Sequence, residues 1–142
     1  MKVFIRTPDG EALFRENVQS VDAFTELGAL RILPGHASLQ GTIRFSPIRV
    51  ETPDHTEHFV VQRGFVFINQ HQDEVTFAVY QAEKRGELSH QTAKEYLEHV
   101  LQALHDKTAL SDYEIQFLDD ERLATQERLT YLEKKPESTT SR

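Results

Sequence analysis

The sequence predicts a mainly β protein with a helical end: an antiparallel β-sandwich or barrel over residues 1–85, a helical hairpin over 86–135 and a disordered tail over 136–142. Three observations predict it. Short apolar–polar alternations split by turn residues fill the first 85 residues. One apolar stripe of helical period begins after Gly86. The end of the chain, from Pro136 on, is Pro-Glu-Ser-Thr-Thr-Ser-Arg, too polar to fold by itself.

Val3–Arg6 alternates and is stopped by Thr7-Pro8-Asp9-Gly10, where Pro and Gly supply the dihedral angles of a turn. Phe59, Val61, Phe65 and Phe67 share one parity and are expected on one strand face, with Gly64 as a bulge or a close-approach point. Val75, Phe77 and Val79 fall on one face of a further strand, and Glu74, Thr76 and Tyr80 on the other, beside Ala78. In the helical part, Ala93, Tyr96, Leu97, Val100, Leu101 and Leu104 lie at i, i+3, i+4, i+7, i+8 and i+11, with Ser89 as N-cap. His105 to Leu110 reads as a loop. Ser111-Asp112-Tyr113-Glu114 is a capping box that opens a second helix, expected to end near Lys135. Its stripe of Ile115, Leu118, Leu129 and Leu132 is interrupted by Arg122 and Thr125. Such a pair packs marginally and is expected to lean on the sheet domain or a partner.

The chain of 142 residues has 16 basic and 23 acidic groups, a formal net charge of -7. Residues 1–85 carry 9 basic and 11 acidic groups; residues 86–142 carry 7 and 12. An acidic chain repels phosphate backbones and anionic lipid, which argues against nucleic-acid and direct membrane binding. The absence of cysteine removes disulfides, thiol nucleophiles and Cys-based zinc sites. Without a signal-type apolar core at Met1–Arg6 or an 18-residue apolar run, a cytoplasmic location is expected.

Catalytic patterns are missing. There is no glycine-rich phosphate loop, Gly-x-Ser-x-Gly elbow or His-Glu-x-x-His. His55 and His58 fall on opposite strand faces and read as a polar hairpin tip. His99 and His105 are too far apart to share a helical face. Asp119-Asp120-Glu121 fans round a helix and reads as a solvated face, not as a cation site. No metal, no cofactor and no catalytic residue is expected.

One segment stands apart. In Leu33-Pro34-Gly35-His36, proline presets φ at the second position and glycine permits a positive φ at the third, a type II turn. The stretch Gly28-Ala29-Leu30-Arg31-Ile32-Leu33-Pro34-Gly35-His36-Ala37-Ser38-Leu39 resembles the signature of bacterial F-type ATP synthase epsilon subunits. Thr7-Pro8-Asp9-Gly10, Ile48-Arg49-Val50, Gly64-Phe65-Val66 and Val75-Thr76 resemble elements around it, so the likeness covers about residues 2–135.

The resemblance implies a β-sandwich of about ten strands followed by two antiparallel helices. It implies a non-catalytic rotor subunit that binds the gamma subunit and the ring of c subunits, reaches the alpha and beta subunits only through its helices, and couples ion translocation to ATP synthesis and hydrolysis. It would lie at the cytoplasmic side of the inner membrane and meet the membrane only through the complex. By the family pattern, Glu26, Gly28, Ala29 and Arg31 form the loop facing the c-ring. Leu33, Pro34, Gly35, His36 and Thr42 form the signature turn and gamma-facing group. The family's acidic loop position is Ala29 here, its second signature glycine is Arg31, its proline after His-Ala is Ser38, and the first glycine of Gly-Gly-Phe is Arg63.

Some members bind ATP through Ile/Leu-Asp-x-x-Arg-Ala. That motif aligns with Leu88, Ser89, Thr92 and Ala93, where Ser89 and Thr92 remove the acid and the base, so tight nucleotide binding is not expected. Arg122, Arg128, Lys134 and Lys135 are the basic residues left to regulate hydrolysis, on a helix whose residues 111–135 hold 4 basic and 7 acidic groups. Weak inhibition is expected. The alternative reading is a stand-alone β-sandwich adaptor with a different partner, since fold does not fix function.

Overall fold

The computed structural model describes residues 1–140, with side chains through Lys134. The chain divides into two compact units that adjoin in sequence at Lys84 and Arg85.

The first unit holds seven strands among the described residues. They are β1 (Lys2–Thr7), β2 (Gly10–Arg15), β3 (Ser20–Thr25), β4 (Gly28–Ile32), β5 (Leu39–Glu51), β6 (Thr56–Asn69) and β7 (Glu74–Lys84). They form one sheet in the order β2-β1-β7-β6-β5-β3-β4. Neighbours run antiparallel except β1 and β7, which pair in parallel from Lys2 and Glu74.

A flat sheet could not bring its two edges together. Yet a single core cluster takes Leu13 from edge strand β2 and Ile32 from edge strand β4, with Val3, Val21, Ile48, Val61 and Phe77 between them. The sheet therefore folds over on itself into a sandwich, hiding both apolar faces at once. β5, β6 and β7, of 13, 14 and 11 residues, run unbroken through the fold and serve both layers. That is why continuous strands number seven where about ten were expected.

The corner in β6 lies at Arg63, whose φ is 53°. A left-handed residue inside a strand turns the pleat over. Phe59 and Val61 face the core before it, and Val66 and Ile68 after it. This corrects the single parity expected for Phe59, Val61, Phe65 and Phe67: Phe65 and Phe67 stand outside, 46% and 39% exposed. Gly64 beside the corner is a close-approach point. A Cβ there would lie 2.0 Å from the Ala78 carbonyl oxygen and 2.7 Å from the Val79 Cα. β5 changes parity opposite it, from Ile43 to Ile48 and Val50.

The second unit holds α1 (His90–His105) and α2 (Asp112–Thr140), preceded by a 3-10 turn at Arg85–Glu87 and joined through another at Lys107–Ala109. Ser89 caps α1, its Oγ accepting the Thr92 N–H at 3.2 Å. The capping box closes in both directions. Ser111 Oγ accepts from the Glu114 N–H at 3.1 Å, and Glu114 Oε1 accepts from the Ser111 N–H at 2.9 Å.

α2 passes the end expected near Lys135 and stays helical to Thr140. The remainder of the expected tail, residues 141 and 142, lies outside the described residues. Glu121 corrects the solvated reading of Asp119-Asp120-Glu121. It is 1% exposed and shares the buried face of α2 with Phe117, Leu118, Thr125 and Leu129. Arg122 lies beside this face, held by Asp119 at 2.7 Å and by Gln126.

Candidate partner-binding face

Strand alternation that sends Val3 and Ile5 inward sends Phe4 and Arg6 outward. Cross-strand register then assembles two rows on the outer face. Phe14, Phe4, Thr76, Phe67 and Gln40 form one row across β2, β1, β7, β6 and β5. Arg6, Ala78, Phe65 and Thr42 form the next. The rings of Phe4 and Phe14 lie 4.8 Å apart, and those of Phe65 and Phe67 6.0 Å apart. Arg6 lies over the Phe4 ring at 4.3 Å, and Arg63 over Tyr80 at 4.9 Å. Lys2, Arg6, Arg44 and Arg63 are exposed. An acidic chain thus carries an aromatic face flanked by cations. Exposed aromatic and arginine side chains in one patch are what protein interfaces enrich.

The signature turn is built as its sequence implies. The His36 N–H donates to the Leu33 carbonyl at 3.0 Å, and Gly35 has a φ of 80°. The β6–β7 turn fixes it in space. Asp73 Oδ1 accepts from the Gly35 N–H at 3.0 Å, Gln70 Nε2 donates to the Gly35 carbonyl at 3.2 Å, and Ser38 Oγ accepts from the Gln70 N–H at 3.0 Å. The Gly35 N–H, with a smaller contribution from the Met1 ammonium at 3.5 Å, holds the Asp73 carboxyl below its ordinary pKa. Leu33 is left 49% exposed, while His36 is half-buried with Nδ1 2.7 Å from the Ala37 carbonyl oxygen.

The expected c-ring loop does not stay together. Glu26 sits in the β3–β4 turn, and Gly28 opens β4 with a φ of 103°. Glu26 joins Thr42, expected in the other group. Its carboxylate accepts the Thr42 N–H, and its own N–H donates to the Thr42 carbonyl at 3.1 Å. Ala29 is half-buried opposite Phe24. Arg31 lies at the far end of β4, bonded at 3.1 Å to Asp22, which also holds Arg49 at 2.9 Å. The sequence reading missed Leu27, 77% exposed at the turn tip, and the aromatic rows. An apolar residue between Glu26 and Gly28, and outward positions read from strand register, were the signals that could have found them.

In the second unit, the positions of the degenerate nucleotide motif bond to each other and to α2. Ser89 Oγ donates to Thr92 Oγ1 at 3.0 Å, Leu88 and Ala93 are fully buried, and the Leu88 carbonyl accepts from Arg128 Nε at 2.9 Å. Neither charge of the motif is present, and the Ser89 and Thr92 hydroxyls are engaged with each other. Arg128 also lies over Tyr131 at 5.6 Å. Lys134 is exposed, and the Lys135 side chain lies outside the described residues. Among the described residues no three His, Asp or Glu side chains are grouped to hold a metal, and no helix is long and apolar enough to cross a membrane.

Known proteins resemble this chain over most of its length. The family described as ATP synthase, Delta/Epsilon chain, beta-sandwich domain matches residues 1–85. The ATP synthase epsilon chain of Bacillus cytotoxicus is 32% identical over 116 residues, covering 80% of this chain and 85% of the relative. That of Bacillus mycoides is 31% identical over the same shares. Two solved structures share the fold. A chain of the Euglena gracilis mitochondrial ATP synthase (OSCP/F1/c-ring) aligns with TM-score 0.55 and 19% identity over 92% of this chain and 79% of its own. A chain of the Tetrahymena thermophila mitochondrial ATP synthase central stalk and c-ring aligns with TM-score 0.52 and 18% identity over 93% and 95%. With a family match over the whole sandwich and relatives above 30% identity spanning both units, this chain belongs to the ATP synthase epsilon-chain family.

Proposed function

We propose that this chain is a non-catalytic rotor subunit in the central stalk of a bacterial F-type ATP synthase. It docks on the gamma subunit through the outer aromatic face and meets the ring of c subunits with the β3–β4 turn. By completing the foot of the rotor, it couples ion translocation to ATP synthesis and hydrolysis. It lies at the cytoplasmic side of the inner membrane and touches lipid only through the complex.

One observation carries this reading. Phe65 and Phe67 are turned outward by the corner at Arg63, with Phe65 opposite Thr42 on β5. Exposing two phenylalanines to water is costly unless a partner covers them, and covering them is worth on the order of 2–3 kcal/mol. Leu27 at the turn tip supplies a separate apolar contact for the ring. The helices restrain hydrolysis weakly at most, because Arg122 and Arg128 are already engaged within the hairpin.

Co-purification of the full chain with the cognate gamma subunit, followed by size-exclusion chromatography, tests the reading. A stable one-to-one complex is expected. Clean separation at micromolar concentration would overturn it and leave the fold in service of another partner.

A further inference from the structure

We propose that Arg6, Arg44 and Arg63 form an acid-reading end of the outer face, and that the surface of the gamma subunit docking there carries carboxylates. The inference rests on the reading of this face as the gamma-docking surface and adds the chemistry of what meets it. On β5 and β6, Ile43 pairs with Gly64 and Phe45 with Gln62, which sets Arg44 directly across from Arg63. On β6 and β7, Gly64 pairs with Val79 and Gln62 with Gln81, which sets Tyr80 on the other side of Arg63. Arg44, Arg63 and Tyr80 thus form a third row at the corner, next to the row of Thr42, Phe65, Ala78 and Arg6. All three arginines are exposed.

Their partners set these arginines apart. Arg15, Arg31, Arg49, Arg85 and Arg122 each pair with a carboxylate, and Arg128 donates to the Leu88 carbonyl. Among the described residues, no carboxylate lies within ion-pair distance of Arg6, Arg44 or Arg63. Acids close by are not recruited. Glu11 stands opposite Arg6 in the β1–β2 register, yet the Arg6 guanidinium lies over the Phe4 ring at 4.3 Å. Glu26 accepts the Thr42 N–H instead. A chain with 23 acidic and 16 basic groups therefore leaves three guanidiniums without a carboxylate on one face.

Like charges directly opposite on a sheet destabilise it, so Arg44 across from Arg63 carries a cost that an incoming carboxylate removes. Phe4 and Tyr80 hold Arg6 and Arg63 by the flat side of the guanidinium, which leaves N–H edges to bind a carboxylate in bidentate fashion. Because the rest of the chain is acidic, this end also orients the encounter with an acidic surface.

Association and dissociation rates of the full chain with the cognate gamma subunit, measured from about 0.05 to 0.5 M salt, test the proposal. Association should slow about tenfold or more across that range. Arg6→Gln/Arg44→Gln should associate about tenfold more slowly at low salt and lose most of the salt dependence, with dissociation within about twofold of the intact chain. Arg44→Glu should be slower still, and it carries the test if the double variant does not fold. Lys94→Gln, which removes an exposed cation of α1, should behave like the intact chain.

Variants at Arg6 and Arg44 that associate as fast as the intact chain would overturn the proposal. Faster association would do the same, because a basic surface would then face the arginines. So would equal slowing by Lys94→Gln, which is an effect of net charge alone. A complex whose association ignores salt and these arginines leaves the docking reading standing and removes only the acidic partner surface. Failure of the intact chain to bind gamma at any salt overturns the docking reading, and the proposal with it.

Discussion

Arg63 stands where the chain turns a corner, in a conformation that crowds a Cβ and costs a non-glycine residue about 1 kcal/mol. Its guanidinium recovers part of that by lying over Tyr80. Arg63→Ala keeps the strain and loses the ring contact, whereas Arg63→Gly loses both. Glycine is therefore expected to be the more stable of the two by about 1 kcal/mol, the reverse of the usual order in a strand. Urea unfolding of the two variants measures it. The sequence made Pro34 and Gly35 legible because their φ preferences are intrinsic, and the turn forms as expected. It left Phe65 and Phe67 on the wrong face because an arginine gives no local sign of a positive φ. The one hint was that the resembling family has glycine where Arg63 stands.

The helix ends of the second unit were legible for the same local reason, since a cap is written in adjacent residues. Ser111→Ala removes one half of the capping box at the start of α2. It should destabilise the second unit by about 1 kcal/mol and speed hydrogen exchange in the first turn of α2, while leaving exchange in β1–β7 unchanged. The seam between the helices was not legible. Three consecutive acidic residues read as a solvated face, and the burial of Glu121 depends on Arg85, 36 residues away. Leu118, Thr125 and Leu129 keep their expected places in the seam, and only Arg122 gives way there, to Glu121. A carboxylate with two partners outcompetes a guanidinium that finds Asp119 and Gln126 on its own helix. The site residues divided in the same way. Glu26 met Thr42 and Arg31 met Asp22 because strand register, not sequence proximity, decides which side chains meet.

The sandwich as a whole depends on the corner. Core residues from both edge strands meet only because β5, β6 and β7 bend together, and Gly64 lets β6 pass against the Ala78 carbonyl. Gly64→Ala puts a Cβ against backbone that cannot move aside cheaply. It should cost about 3 kcal/mol or more, lowering the denaturant midpoint of the first unit. The same bend turns Phe65 and Phe67 outward, so the fold and the proposed docking face share one cause. The central claim is that this outward face binds the gamma subunit.

Calorimetric titration of the gamma subunit with the intact chain and with Phe65→Ser/Phe67→Ser tests that claim most directly. Both side chains are exposed, so the variant should fold with little change in midpoint, yet bind at least about tenfold more weakly. Equal affinity of the two proteins would contradict the account, because the aromatic face would then be neither the docking surface nor the reason for the corner.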